Sequence, residues 1–119
     1  MDTAHIDLDE ELFEMANLEP DKTGVDGFVY VSTSVPRHGP RVKYFRRLGK
    51  AQPSFSVSIA EDPTVLVTSL SQTETDRYAV QVIEFVRRNR EKLLDFWENG
   101  TEWPSDKVHA FLNSFEKIG

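Results

Sequence analysis

A chain of 119 residues carrying a formal net charge of −6 has room for one domain with its own core. It contains no cysteine, which excludes disulfides, thiolate metal sites and cysteine nucleophiles. No apolar run approaches the roughly 20 residues that span a bilayer, and the net acidity argues against a protein that coats nucleic acid with its whole surface, leaving room for a local basic patch.

In chain order, residues 1–7 are expected to be loose, and the acidic start lacks the basic and apolar stretches of a signal peptide. Asp7 and Glu10 have capping-box spacing for a short N-terminal helix, with Leu8, Leu12, Met15 and Ala16 on one face. Asn17 to Gly27 reads as a loop broken by Pro20, Gly24 and Gly27. Strands are predicted at Phe28–Thr33, Arg41–Leu48, Ser54–Ala60 and Thr64–Thr68. In the second, Val42, Tyr44, Arg46 and Leu48 share one face, and Arg41, Lys43, Phe45 and Arg47 the other. In the third, Phe55, Val57 and Ile59 point inward.

The period then changes. Ser71 and Glu74 form a capping box opening one long helix to Glu98. Ala79, Val82, Val86, Leu93 and Trp97 mark its buried stripe, broadened by Phe85, Leu94 and Phe96. Gly100 is expected to stop it in a left-handed conformation. A last helix starts at Trp103-Pro104, with Val108, Phe111, Leu112 and Phe115 at helical spacing. The predicted fold is α+β: a single domain over residues 1–119, with a small antiparallel sheet of three to four strands. The long helix and the C-terminal helix pack it, and a short N-terminal helix precedes it.

The charge is segregated. Between Asp26 and Glu61 there is no carboxylate, while Arg37, Arg41, Lys43, Arg46, Arg47 and Lys50 give +6, leaving −12 on the flanks. Such a block suits docking to a polyanion, to an acidic partner or to the chain's own acidic parts. The competing reading is an ordinary solvated edge that uses charge against aggregation. Arg41, Lys43 and Arg47 with Phe45 on one strand face are the ingredients of single-strand recognition, cations for phosphates beside a ring that stacks a base. The binding residues expected are Arg37, His38, Arg41, Lys43, Phe45, Arg46 and Arg47. A second basic cluster, Arg87 to Lys92, is spread around the long helix and reads as its solvated face.

His38 lies in the loop between Pro36 and Pro40. With Arg41, Lys43 and Tyr44 nearby it has parts of an acid/base site for RNA cleavage, Arg41 stabilising developing charge. A second acid/base group is missing from the neighbouring sequence. Three scattered histidines and no cysteine make no metal pattern, and no phosphate loop or nucleophile elbow is present, so no metal or cofactor is expected.

The segments Ala16-Asn17-Leu18, Thr23-Gly24, Arg37 to Lys43 and Asn89 to Trp97 resemble a set of small, uncharacterised, mainly alphaproteobacterial proteins, over about residues 16 to 116. More distantly, the Asn-Arg-x-x-Leu-Leu-x-x-Trp helix end is similar to that of the domain of unknown function 4160 family, whose members often occur in proposed toxin–antitoxin operons. That family's Pro-His-x-His strand motif has no counterpart here beyond His38. The resemblance implies a bacterial, cytoplasmic α+β protein and brings no catalytic residue with it.

The function expected is a non-enzymatic binding module whose basic strand and loop, residues 37–50, contact an acidic protein partner or RNA, with no membrane involvement. The alternatives are a small ribonuclease-like toxin using His38 and Arg41, and a structural oligomer subunit.

Overall fold

The computed structural model describes residues 15–119. Five strands form one antiparallel meander: β1 (Met15–Leu18), β2 (Phe28–Ser32), β3 (Arg41–Phe45), β4 (Ser54–Ser58) and β5 (Val65–Thr68). A single turn of helix, α1 (Pro20–Thr23), links β1 to β2. The long helix α2 (Gln72–Asn99), a 3-10 turn (Gly100–Glu102) and α3 (Ser105–Leu112) follow the sheet.

Alternation decides the faces. Leu18, Val29, Val31, Val42, Tyr44, Phe55 and Val57 point to one side, where all are buried against Ala79, Val82, Phe85, Val86, Leu93 and Phe96 of α2. The expected helix stripe is thus the buried one, extended by Tyr78 and Asn89. Ser71 caps α2, accepting from the Glu74 amide at 3.1 Å. Aromatic rings finish both ends of the core: Tyr44 stacks on Phe55 at 4.8 Å and Tyr78 at 5.5 Å, and Phe111 stacks on Phe96 at 4.5 Å.

Several details differ from the sequence reading, among them the expected loop Asn17–Gly27, whose first two residues join β1 and whose Pro20–Thr23 form the turn α1. The sheet has five strands rather than three to four. The extra strand, β1, takes Met15 and Ala16 out of the expected N-terminal helix and pairs them with Ser32 and Val31. Cross-strand pairing supplies their backbone hydrogen bonds, and the rest of that expected helix, with the expected loose residues 1–7, lies outside the described residues. β3 ends at Phe45, three residues early, because Arg46 is drawn to Asp26. Gly100 is right-handed (φ −61°), and its missing side chain serves close packing instead: a Cβ there would stand 2.7 Å from Thr33 Cγ2.

The C-terminal residues run back along α2 as a strap. Asn89 Nδ2 donates to Phe85 O at 2.9 Å and Glu116 O at 3.0 Å, and its Oδ1 accepts from the Glu116 amide at 2.9 Å. The helix is kinked at this residue (φ −118°, ψ 18°). Arg88 donates to Lys117 O at 2.8 Å, Lys92 to Ser114 O, and the Ile118 amide to Thr23 O at 2.9 Å. Gly24, left-handed at φ 80°, lies against the Ile118 backbone, where a Cβ would come within 2.9 Å of its carbonyl carbon.

Candidate binding surface on the open sheet face

The other side of the sheet faces away from the α2 core, though Trp97 at the end of α2 reaches it, and its register places polar and aromatic groups in rows. Tyr30 faces Asn17 on one side and Lys43 on the other; Lys43 then faces Ser56, and Ser56 faces Val67. One row further, Phe28 faces Phe45, which faces Ser54. At the opposite end Met15 faces Ser32, and Arg41 faces Ser58. Alternation in β3 therefore sends Arg41 and Lys43 outward together while Val42 and Tyr44 go to the core.

At the Arg41 end the face deepens into a cavity of about 380 Å³. The described residues lining it are Met15, Tyr30, Ser32, Val35, His38, Arg41, Lys43 and Trp97. Met15, Tyr30, Ser32, Arg41 and Lys43 come from strand alternation, Val35 and His38 from the loop before β3, and Trp97 from the end of α2. That loop is pinned at both ends: the Ser34 amide donates to Trp97 O at 2.8 Å, and the Ile59 amide to Pro40 O at 2.9 Å. Between them Val35-Pro36-Arg37-His38 makes a tight turn closed by the His38 amide on Val35 O at 3.2 Å. Pro36 suits its second position, and Arg37 stands at the third with φ 70°, where glycine is the usual occupant. Trp97 is buried but stands outside the core cluster, its side chain belonging to this cavity instead. Burial raises the Tyr30 hydroxyl above its ordinary pKa of 10.0, so the ring carries no charge at neutral pH.

The cavity walls are thus apolar on the Met15, Val35 and Trp97 side and cationic on the Arg41 and Lys43 side. Arg41 Nε donates to Gly39 O at 3.3 Å, which holds the guanidinium near the loop. Among the described residues no carboxylate forms an ion pair with Arg41 or Lys43, and none lines the cavity.

The structure divides the cationic run. Arg41, Lys43 and His38 meet at the cavity, with Arg37 exposed in the adjoining turn. Phe45 lies on the same face, two residues along β3. Arg46 turns to the other side, where it meets Asp26 Oδ1 at 3.2 Å, donates to Tyr44 Oη at 3.2 Å and covers the Tyr78 ring at 4.2 Å. Its bond to the Tyr44 hydroxyl, with Asp26 beside it, holds its already high pKa higher still. Arg47 and Lys50 are exposed in the β3–β4 connection, at the far end of the strand from His38. The second basic cluster stays on the α2 side: Arg87 pairs with Asp62 at 3.5 Å and Arg88 with Glu84 at 2.9 Å.

His38 is exposed, and among the described residues its ring has no hydrogen-bond or ion-pair partner. No three described His, Asp or Glu residues stand where they could share a metal ion, and no described helix is long and apolar enough to cross a membrane. Sequence reasoning passed over Tyr30, Met15, Ser32, Val35 and Trp97 as site residues. The alternation of Phe28, Tyr30 and Ser32 was a usable signal for one shared face, but which face stays open depends on where α2 packs. Compared with family models, with curated proteins and with solved structures, the chain matches none.

Proposed function

We propose that this domain is a non-catalytic binding module whose open sheet face takes an acidic segment of a protein partner. The observation that carries this reading is the cavity, where two outward cations without a described carboxylate partner adjoin apolar walls. Such a site matches a peptide that sets a carboxylate beside an apolar side chain: the apolar group leaves water, and the charge meets Arg41 and Lys43. A bare polyanion uses only the cationic half. With the two cavity cations alone, a single-stranded RNA would show a slope of log K against log salt of only about −1.4.

The test compares two probes at low salt: a fluorescent peptide of alternating Glu and Leu, and oligo-uridine of similar length. The peptide is expected to bind, and Arg41→Glu with Lys43→Glu to abolish binding without lowering the melting temperature. Binding of oligo-uridine alone would replace the protein partner by RNA, with the rings of Phe28, Tyr30 and Phe45 as its stacking platform. Binding of neither would overturn the proposal. We favour binding over a ribonuclease centre at His38, because among the described residues no carboxylate stands against its ring.

A further inference from the structure

The charge of this protein is distributed in a way that bears on the cavity. Residues 15–119 hold 14 Lys and Arg and 14 Asp and Glu, a balance of zero. The whole net charge of −6 therefore belongs to the first fourteen residues, through Asp2, Asp7, Asp9, Glu10, Glu11 and Glu14. Between those carboxylates stand Ile6, Leu8, Leu12 and Phe13, the apolar-and-acidic alternation that the cavity suits.

The point of attachment matters as much as the composition. This acidic segment joins the fold at Met15, which is itself a wall of the cavity and whose Sδ accepts from the Tyr30 hydroxyl at 3.0 Å. Arg41 and Lys43 line the same cavity. Fourteen residues reach up to about 50 Å when extended, so the tether sets no limit on reaching any part of this face. A short tether holds its end at an effective concentration on the order of millimolar, so even a weak site is occupied.

We infer that residues 1–14 dock in cis on the cationic cavity of the open sheet face and compete there with an external acidic partner. The inference rests on the reading of that cavity as a site for acidic segments, and it adds regulation: a partner must displace the chain's own acidic segment. Because the attraction is between carboxylates and two partly exposed cations, salt weakens it along with partner binding.

The test uses the full chain and a fluorescein-labelled synthetic peptide of residues 1–14 as the probe in trans. The wild-type protein is compared with a full-chain variant in which Asp7→Asn, Asp9→Asn, Glu10→Gln, Glu11→Gln and Glu14→Gln remove all of the tethered carboxylates but Asp2. The expected result is at least tenfold tighter binding of the peptide by the variant, abolished when Arg41→Glu and Lys43→Glu are added. Equal affinity for the two proteins would overturn docking in cis while leaving the cavity an acid-binding site. No binding by either would overturn both readings. Sedimentation separates the remaining case: a wild-type dimer that becomes monomeric in the neutralised variant would mean that the segment docks on a second copy, and would overturn the inference.

Discussion

Tyr44 ties the core to the Arg46–Asp26 ion pair. Its ring is fully buried between Phe55 and Tyr78, and its hydroxyl donates to Asp26 O while accepting from Arg46. Burial raises its pKa above the ordinary 10.0, with the Arg46 bond opposing the shift. A raised folded-state pKa means that the folded protein holds the proton more tightly than the unfolded chain. The associated stability is complete below pH 10 and is lost as pH rises through the folded value. Thermal melts should therefore be flat across neutral pH and fall above pH 10, and Tyr44→Phe should flatten that fall at the expense of about 1 kcal/mol at neutral pH. Arg46 shares this cluster, whereas Arg41 and Lys43 do not. Arg46→Glu should lower the melting temperature by about 4 °C or more, because it sets a carboxylate beside Asp26 and uncovers Tyr78. Arg41→Glu should leave the melt within error. Equal shifts for the two would show that the cationic run acts as one surface after all.

Among the elements, α2 grips the C-terminal strap, and Asn89 holds its middle. Asn89 is almost fully buried and satisfies the Glu116 backbone on both its donor and its acceptor side. Asn89→Leu keeps the branching at Cγ but leaves the Glu116 amide and carbonyl without those partners, at about 1–3 kcal/mol. The strap should loosen before the sheet does. Hydrogen exchange is expected to accelerate at Glu116 and Ile118 and to stay slow at Val42 and Val57. Uniform acceleration would show that the strap and the sheet open together. The neighbouring basic side chains make sense in the same frame: Arg88 and Lys92 bind strap carbonyls, so their charge serves the chain itself.

For the whole molecule, the sheet separates a dry side from an open side, and two adjacent aromatic residues report on them. Phe96 packs on Phe111 at 4.5 Å and Trp103 at 5.6 Å inside the core. Phe96→Ala should cost about 3–5 kcal/mol, a large part of the stability of a domain this size. Trp97→Ala, though it deletes a larger ring, should cost less than Phe96→Ala, because it enlarges a cavity already open to water instead of creating a void in the core. Paired denaturation curves check the order; a Trp97 variant less stable than the Phe96 variant would place Trp97 in the core.

The sequence by itself determined what local rules can carry. Period-two alternation gave Phe55, Val57, Val42 and Tyr44 to the core, and the Ser71–Glu74 box and 3.6 period laid out α2 from its first residue to its buried stripe. The charge block between Asp26 and Glu61 was legible at once. The tertiary structure alone decided how that block is used. Pairing across β1–β2 made a strand of Met15 to Leu18, where local spacing favoured a helix end at Met15 and Ala16 and a loop from Asn17, since four residues take their state from the partner that completes their hydrogen bonds. Packing of α2 on one side left the other side open and so turned Tyr30, Arg41 and Lys43 into neighbours on a surface, while Asp26, twenty residues before Arg46 in the chain, withdrew that arginine from it. Composition counts charges along the chain, and only the fold says which of them meet an opposite charge and which still face outward.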